Sequence, residues 1–225
     1  MKSFRYREPD SQSRYNPFTF NVQKMMGRRS DHSREELQGL IIEATLALVR
    51  QHGANKVTAR QIAKSVGYTP GTLYSVFINL QDIFLHVTEI GLAELFTLCD
   101  AAIENENDPY AAINRLGNAY LNFATEHTHQ FDLMFARSTA PSAAAPSSIK
   151  NQIGSMFELI EIQLTKLNPN ASTATIKLGA RALWSGVHGL AVLRLSDQLY
   201  LEPKTNDSDV LETLVFNFLN SWKLP

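Results

Sequence analysis

Residues 58–77 constrain the fold of this chain most, because they carry the signals of two short helices joined by a tight turn. Thr58, with Gln61 three residues later, forms a capping box and predicts the start of the first helix. Gly67 ends that helix where the backbone has to turn. Thr69, followed at once by a proline, predicts the cap of the second helix. Helices this short are not stable alone, so they must pack against neighbouring helices.

The outward face of the second helix carries small residues, hydroxyl groups and one phenol, and no charge. Small side chains let the backbone come close to another surface, and Thr and Ser hydroxyls can contact phosphates or base edges. A helix N-terminus also offers free backbone N–H groups to a phosphate. These properties are typical of the recognition helix of a helix-turn-helix motif, although the caps alone also fit an ordinary helical hairpin. The residues of this face are Pro70, Gly71, Thr72, Tyr74 and Ser75.

A longer helix is predicted before the motif, over about residues 33–51, because apolar residues recur there at helical spacing. Packed against the two short helices, it completes a three-helix head. The predicted core of this head consists of Leu37, Ile41, Ala44, Leu48, Ile62, Leu73 and Phe77.

The pattern Thr-x-x-x-Ile-Ala-x-x-x-Gly-Tyr-Thr-Pro-Gly-Thr-Leu-Tyr-x-x-Phe strongly resembles the DNA-binding domain of tetracycline-repressor-like (TetR family) transcription regulators. The resemblance extends over about residues 34–95 and favours this interpretation over the plain hairpin. It implies that the chain binds a double-stranded DNA operator as a homodimer. The residues that it places at the DNA are Arg34, Thr58, Arg60, Thr69, Pro70, Gly71, Thr72, Tyr74 and Ser75.

Two positions of the resemblance have individual consequences. In the family, the counterpart of Tyr74 commonly touches a phosphate. Leu80 departs from the pattern, because many members have a lysine there that reaches a phosphate. That contact is not carried over, so we expect slightly weaker sequence-independent affinity, with a salt slope lower by roughly one.

Charge is unevenly distributed along the chain. Residues 1–81 contain 12 Lys and Arg against 6 Asp and Glu, whereas residues 82–225 contain 9 against 16. A basic front half joined to an acidic back half fits a nucleic-acid-binding end on a body that avoids nucleic acid. A single cysteine, Cys99, excludes an intrachain disulfide framework, and no apolar run approaches the roughly 20 residues that cross a bilayer. We therefore expect a cytoplasmic protein that does not enter a membrane.

Three segments are expected. Residues 1–30 are basic with interleaved aromatic residues, which fits either a disordered arm or an arm that follows phosphates, disorder being the commoner behaviour. Residues 31–95 are expected to form the DNA-binding domain, with its motif at about 57–77. Residues 96–225 are expected to form a C-terminal domain for effector binding and dimerisation.

The rest of the chain predicts helices and no strand, which gives an all-α fold of about nine helices. The fourth helix begins at Asn79 and continues without proline to about Ile103, a length of roughly 36 Å. Such a rod can carry motion from the body to the head. The stretch from Arg137 to Ser148 is rich in Ala, Pro and Ser and predicts a loop.

Aromatic and sulfur-bearing residues of the body, with a few polar ones, have the composition of a ligand cavity, although each could instead fill the core. They indicate a small-molecule effector without identifying it. The candidates are Phe96, Cys99, Tyr120, Phe123, His127, Met134, Phe157, Trp184 and His188.

The last two helices are apolar on more than one face, so one side of them could meet a second subunit in a four-helix interface. The candidate dimer residues are Leu190, Leu193, Leu211, Leu214, Val215, Phe218 and Trp222.

The segment from Trp184 to Gly189 resembles a Trp…His-Gly signature in the C-terminal domains of one branch of the TetR family. Gly186 and Gly189 are expected to allow close helix contact or to leave space for a pocket. His188 could bind a polar group of an effector, although a lone histidine in an apolar helix is more often a hydrogen-bonded core residue.

Together these patterns predict a ligand-responsive transcription regulator. The expected form is a repressor that binds a palindromic operator as a dimer and is released by a small molecule. No nucleophile or phosphate-loop motif indicates an enzyme, and His127-x-His129 lacks the partners of a metal site, so no cofactor is predicted. The alternative is a helical small-molecule-binding protein without DNA-binding function, for which Leu80 leaves room.

Overall fold

The structure is a computed structural model that describes residues 32–135, 146–200, 202 and 206–222. Within these ranges the chain forms helices and no strand, so the all-α prediction is confirmed. The predicted arm at residues 1–30 lies outside the described residues. The helices are α1 (Arg34–His52), a 3₁₀ turn (Ala54–Lys56), α2 (Ala59–Ser65), α3 (Pro70–Leu73), α4 (Leu80–Ala102), α5 (Pro109–Glu126), α6 (Thr128–Phe135), α7 (Ser147–Leu167), α8 (Thr173–Leu195) and α9 (Asp207–Trp222).

Side-chain caps set the starts of the head helices as the sequence predicts. Thr58 accepts from the backbone N–H of Gln61, whose side chain accepts in return from the N–H of Thr58. Thr69 and Asn79 cap α3 and α4 in the same manner, each accepting from the N–H three residues later. Between α2 and α3, Gly67 has a φ of 75°, a left-handed conformation that favours glycine.

The third helix is shorter than predicted. It ends at Leu73 rather than near Phe77, because the N–H groups of Ser75 and Val76 bond to carbonyls three residues earlier and tighten the chain. Phe77 nevertheless turns inward and is only 3% exposed, so the head keeps the predicted apolar contact.

The head has its own hydrophobic core between α1, α2, α3 and the start of α4. The buried face of α1 carries Ile41, Thr45 and Val49, a stripe rotated from the predicted one, which leaves Ala44 only partly buried. The hydroxyl of Thr45 donates to the carbonyl of Ile41 at 2.7 Å, so its burial leaves no hydrogen bond unmade. The core residues are Ile41, Val49, Val57, Ile62, Ala63, Leu73, Phe77 and Ile83, with Leu37 and Leu48 partly buried against them.

The fourth helix belongs to both halves of the protein. Ile83 near its start lies in the head core, whereas Leu95 and Cys99 lie in the core of the body. Its 23 residues correspond to roughly 34 Å of unbroken helix. A single helix therefore joins the core of the head to the core of the body.

The helix α7 begins slightly earlier than the predicted loop implies. The loop predicted for Arg137 to Ser148 overlaps residues 136–145, which lie outside the described part, and α7 already begins at Ser147.

In α8, a Cβ at Gly186 would lie 2.8 Å from a methyl of Leu214, so this glycine lets α8 and α9 pack closely, as expected.

Three of the predicted dimer residues lie in the subunit's own core, which corrects their assignment. Leu190 is 4% exposed, and Leu211 and Val215 are 0% exposed, because α9 packs against α5 and α8 of the same chain. A side chain already covered by its own subunit adds no buried area against a partner. Leu193 is 40% exposed, and Leu214, Phe218 and Trp222 are partly buried against the same core.

Candidate DNA-binding surface and internal cavity

None of the residues predicted to lie at the DNA belongs to the buried core of the head. Tyr74 is 47% exposed, a large share for an aromatic side chain. Pro70 and Thr72 are partly buried. The remaining members are exposed: Arg34, Thr58, Arg60, Thr69, Gly71 and Ser75.

Several hydroxyls of this surface also hold the local backbone. Thr69 Oγ1 lies 3.0 Å from Thr72 Oγ1 and accepts from the Thr72 N–H, while Ser75 Oγ donates to the Thr72 carbonyl at 2.7 Å. These bonds fix the hydroxyl oxygens in position. A partner can therefore bind these hydroxyls without the entropy cost of first ordering the side chains.

Gly71 has no structural reason to be a glycine. It lies inside α3, outside the positive φ region, and a Cβ there would meet only Thr69 Oγ1 at 3.8 Å, an ordinary contact. The fold therefore tolerates alanine at this position. Because the fold does not require glycine here, the lack of a side chain fits a role in letting another molecule come close to the backbone.

The departure at Leu80 has a structural counterpart. Leu80 is the first residue of α4, and it is partly buried against the head core. Its side chain thus contributes to packing where the family pattern has a phosphate-binding lysine. Two residues earlier in the chain, Ile78 is 85% exposed.

A hydrogen-bond network joins the head to the body at the end of α1. Arg50 Nη2 donates to both carboxylate oxygens of Glu94, at 2.8 and 2.7 Å, and Arg50 Nε donates to Gln130 Oε1 at 2.9 Å. Gln130 Nε2 donates in turn to Glu94 at 2.9 Å. His129 Nδ1 lies 3.0 Å from the backbone carbonyl of Arg50. We call these four residues the junction network; it connects α1 of the head with α4 and α6.

An internal cavity of about 270 Å³ lies in the body between α4, α5, α6, α7 and α8. Its wall is almost entirely apolar, which is usual for sites that bind small organic molecules. The lining residues are Thr88, Leu92, Leu95, Cys99, Ile113, Leu116, Gly117, Tyr120, Met134, Phe135, Ile149, Ile153, Met156, Phe157, Ile160, Leu183, Trp184 and Val187.

Five of the nine predicted ligand residues line this cavity, namely Cys99, Tyr120, Met134, Phe157 and Trp184.

The other four predicted ligand residues lie elsewhere. Phe123 is 0% exposed inside the core and Phe96 packs against that core, so neither belongs to the lining. His127 is the C-cap of α5, with its ring 4.9 Å from that of Phe123, and lies beside the junction network. His188 stands just behind the wall, because its partners Tyr120 and Trp184 are lining residues.

The polar corner of the cavity consists of Tyr120, Trp184 and His188. The Tyr120 hydroxyl lies 2.8 Å from His188 Nδ1, and the rings of Trp184 and His188 stack with centroids 5.1 Å apart. Burial raises the pKa of Tyr120 well above its usual value, and a hydrogen bond from Trp184 offsets only part of that effect. Burial also lowers the pKa of His188. This corner is therefore uncharged at neutral pH.

The thiol of Cys99 is likewise uncharged. Burial, with a smaller contribution from Asp100, raises the pKa of Cys99 to about 12. A thiol is a nucleophile only when it has lost its proton, so Cys99 contributes a soft apolar surface to the cavity.

Sequence reasoning found Phe157 on α7 but missed the other residues that this helix supplies to the wall. Ile153, Met156 and Ile160 lie on the apolar stripe of that helix, but a stripe predicts burial and does not distinguish a cavity wall from a filled core. The sequence offers no signal for this distinction: Ile153 shares the stripe, and only the structure shows that it remains 40% exposed.

Across the described ranges, no helix has the length and apolar character needed to cross a membrane. In the same part of the chain, no group of three or more His, Cys, Asp or Glu residues is arranged to hold a metal ion.

Comparison with known proteins agrees with the geometry of head and body. Residues 41–87 match the family model described as bacterial regulatory proteins, tetR family, and residues 113–217 match the tetracyclin repressor-like C-terminal domain. The uncharacterized HTH-type transcriptional regulator YobS of Bacillus subtilis (strain 168) is 26% identical over 181 residues, which cover 80% of this chain and 87% of YobS.

Solved structures share the fold. A protein of unknown function from Rhodococcus sp. RHA1 superposes with a TM-score of 0.70 at 19% identity, over 87% of this chain and 98% of the other. The TetR family transcriptional regulator PfmR from Thermus thermophilus gives a TM-score of 0.53 at 17% identity, over 80% and 97%. The chain therefore belongs to the TetR family of transcriptional regulators and carries that family's DNA-binding domain.

Proposed function

We propose that this protein is a cytoplasmic repressor that binds a palindromic operator as a homodimer and is released when a small molecule enters the body cavity. Its DNA-binding domain then comprises about residues 31–95, and residues 96–225 bind the effector and the second subunit. The family points to a regulator rather than to an enzyme.

The observation that carries this proposal is that the same two helices line the cavity and contact the head. Thr88 and Leu92 of α4, and Met134 of α6, face the cavity. On the other side, Glu94 of α4 and Gln130 of α6 bond to Arg50 of the head. A molecule that displaces α4 and α6 from within the cavity thus changes the position of the head.

A close crossing makes these two helices move as a pair. A Cβ at Gly91 of α4 would lie 2.5 Å from Met134 Sδ and 2.9 Å from Gln130 Nε2 of α6. Met134 therefore touches both the cavity and the tightest point of the crossing. An effector shifts the balance between two head positions only by its difference in affinity for them.

The proposed dimer surface is an exposed stripe along α8 with a neighbouring patch on α9. Leu178 is 70% exposed and Val192 45% exposed, on the same helical face as small residues at positions 182, 185 and 189. On α9, Phe216 is 52% exposed. Apolar and small side chains in this arrangement suit packing of α8 and α9 against their symmetry copies.

The oligomeric state can be tested by sedimentation of the purified protein and of the Leu178→Lys and Val192→Lys variants. We expect a dimer for the unchanged chain and dissociation in both variants. Leu98→Lys is the matched control, because Leu98 is as exposed as Val192, at 45%, but lies on α4 rather than on α8 or α9, and should leave the dimer intact. A single-chain mass for the unchanged protein would contradict the dimer.

DNA binding can be tested by selecting operators from a random duplex pool with the purified full chain. We expect enrichment of a palindrome whose half-sites lie about one helical turn apart, roughly 34–36 Å, or a larger spacing. The Tyr74→Phe variant should weaken binding to the operator and to random DNA about equally, because a phosphate contact carries no sequence information. If no duplex is enriched over the pool, the proposed repressor function fails.

A further inference from the structure

The cavity wall contains few polar atoms. Thr88 Oγ1 donates to the backbone carbonyl of Phe84 at 3.0 Å. The Tyr120 hydroxyl lies 2.8 Å from His188 Nδ1, and which of the two donates depends on the tautomer of the imidazole. A hydroxyl oxygen has two lone pairs, so the oxygens of Thr88 and Tyr120 remain able to accept a hydrogen bond in either case. The wall thus offers two hydroxyl oxygens as acceptors.

Charge is also missing from the described wall. Among the described residues that line the cavity, none is an Asp, Glu, Lys, Arg or His. Transfer of a charged group from water to such a site is costly unless a partner of opposite charge is present. A carboxylate or phosphate would find no cation among these lining residues, and an ammonium group would find no carboxylate.

We propose that the cavity binds an uncharged, mostly apolar molecule that carries a hydroxyl group, and that this hydroxyl donates to the oxygen of Thr88 or Tyr120. The inference rests on the proposed role of the cavity as the effector site. It selects neutral alcohols over acids, amines and molecules that only accept hydrogen bonds.

The volume sets the size of the molecule. A cavity of about 270 Å³ holds roughly nine groups the size of a water molecule, each of which takes about 30 Å³. 1-Octanol is of this size and carries one hydroxyl. Octanoate, octylammonium and heptyl methyl ether are matched to it in length and differ in the polar group alone.

The test measures the affinity of the full-length protein for these four probes by titration calorimetry near pH 7.5, where the acid and the amine are charged. We expect 1-octanol to bind at least about tenfold more tightly than octanoate and octylammonium. It should also bind at least about threefold more tightly than heptyl methyl ether, which has no donor. Equal or tighter binding of either charged probe, or no binding of any probe, would overturn the inference.

Two variants locate the acceptor. Thr88→Val and Tyr120→Phe each remove one hydroxyl, and at least one of them should abolish the preference for 1-octanol over the ether. Thr97→Val is the matched control, because Thr97 also donates to a carbonyl four residues earlier in α4 but lies exposed outside the cavity. The preference is a ratio measured within one protein, so a general loss of stability does not mimic the effect. A preference unchanged in both variants would contradict the assignment.

This test can fail independently of the proposed repressor function, because operator binding is measured without any of the four probes. Operator binding together with selection for a charged probe would refute the inference alone. Selective binding of 1-octanol by a protein that enriches no duplex would refute the repressor function and support the inference.

Discussion

Arg50 at the end of α1 and Gln130 in α6 are joined by a hydrogen bond of 2.9 Å across 80 residues of sequence. Gln130 is 0% exposed, and its amide is oriented on both sides, accepting from Arg50 and donating to Glu94. A buried amide with both ends bonded holds the two helices in one relative position. The bond therefore fixes how the head sits on the body in this arrangement.

The first prediction concerns Gln130→Leu, which keeps the volume of the side chain and removes both hydrogen bonds. We expect the free energy of unfolding to fall by about 1–3 kcal/mol, because Arg50 Nε and a Glu94 oxygen lose a partner. Denaturant unfolding measures the change. The Arg50–Glu94 ion pair is more than a third exposed on each side, so it should not compensate.

A double-mutant cycle serves as the control for this prediction. Arg50→Met combined with Gln130→Leu should cost less than the sum of the two single changes, because the second substitution removes an interaction already lost. Strict additivity would show that the hydrogen bond contributes nothing measurable.

The second prediction concerns the crossing of α4 and α6. Gly91→Ala places a methyl group 2.5 Å from Met134 Sδ and 2.9 Å from Gln130 Nε2, so either these side chains or one of the helices has to shift. We expect a loss of about 1–3 kcal/mol in unfolding free energy. Gly154→Ala in α7 is the matched control, since nothing lies within 4 Å of its added Cβ, and it should gain up to about 1 kcal/mol. Equal stability of the two variants would mean that the crossing is looser than the distances indicate.

Features that depend on neighbouring residues could be predicted from the sequence, whereas features that depend on packing between distant helices could not. The caps at Thr58, Thr69 and Asn79 involve residues three apart, so the sequence alone predicts where these helices begin. By contrast, Leu190 and Leu193 are the same residue type on one helix, and only the packing of α9 makes one buried and the other exposed. Periodicity cannot make that distinction.

The cavity and the junction depend on contacts that no pattern records. Phe123 and Phe157 are both aromatic residues on apolar helix faces, yet one fills the core and the other lines the cavity. Arg50 and Gln130 carry no signal of their pairing, because they are polar residues far apart in the chain. Family resemblance predicts the DNA-binding surface because its residues are close in sequence, whereas the cavity is assembled from five helices.

The third prediction separates DNA contact from fold at Gly71. Gly71→Ala should leave unfolding free energy unchanged or raise it by no more than about 1 kcal/mol, because the added Cβ meets only an ordinary contact. Operator affinity should nevertheless fall by about tenfold or more if DNA approaches this backbone. Gly39→Ala, in α1 with nothing within 4 Å of its Cβ, should likewise raise unfolding free energy by up to about 1 kcal/mol but leave operator affinity unchanged. Unchanged operator affinity in the Gly71 variant would remove α3 from the DNA surface.

The fourth prediction concerns pH and His188, whose pKa is lowered by burial. The unfolded chain takes up a proton at this residue as the pH falls below about 6.5, while the folded chain resists it. Above that pH, His188 makes its full contribution to the free energy of unfolding. This contribution is lost as the pH falls toward the pKa of His188 in the folded chain. Between about pH 7.5 and pH 5.5, the denaturant midpoint of the unchanged protein should therefore fall more than that of His188→Asn.

The asparagine in this variant can donate to or accept from the Tyr120 hydroxyl and has no titrating ring, so the two proteins differ in the proton rather than in the hydrogen bond. His52→Asn is the comparison variant, because His52 is exposed at the end of α1 and makes no contact with the cavity. It should follow the pH dependence of the unchanged protein. A His188→Asn variant that lost as much stability on acidification as the unchanged protein would show that another group is responsible, and that the polar corner of the cavity does not stay uncharged because of burial.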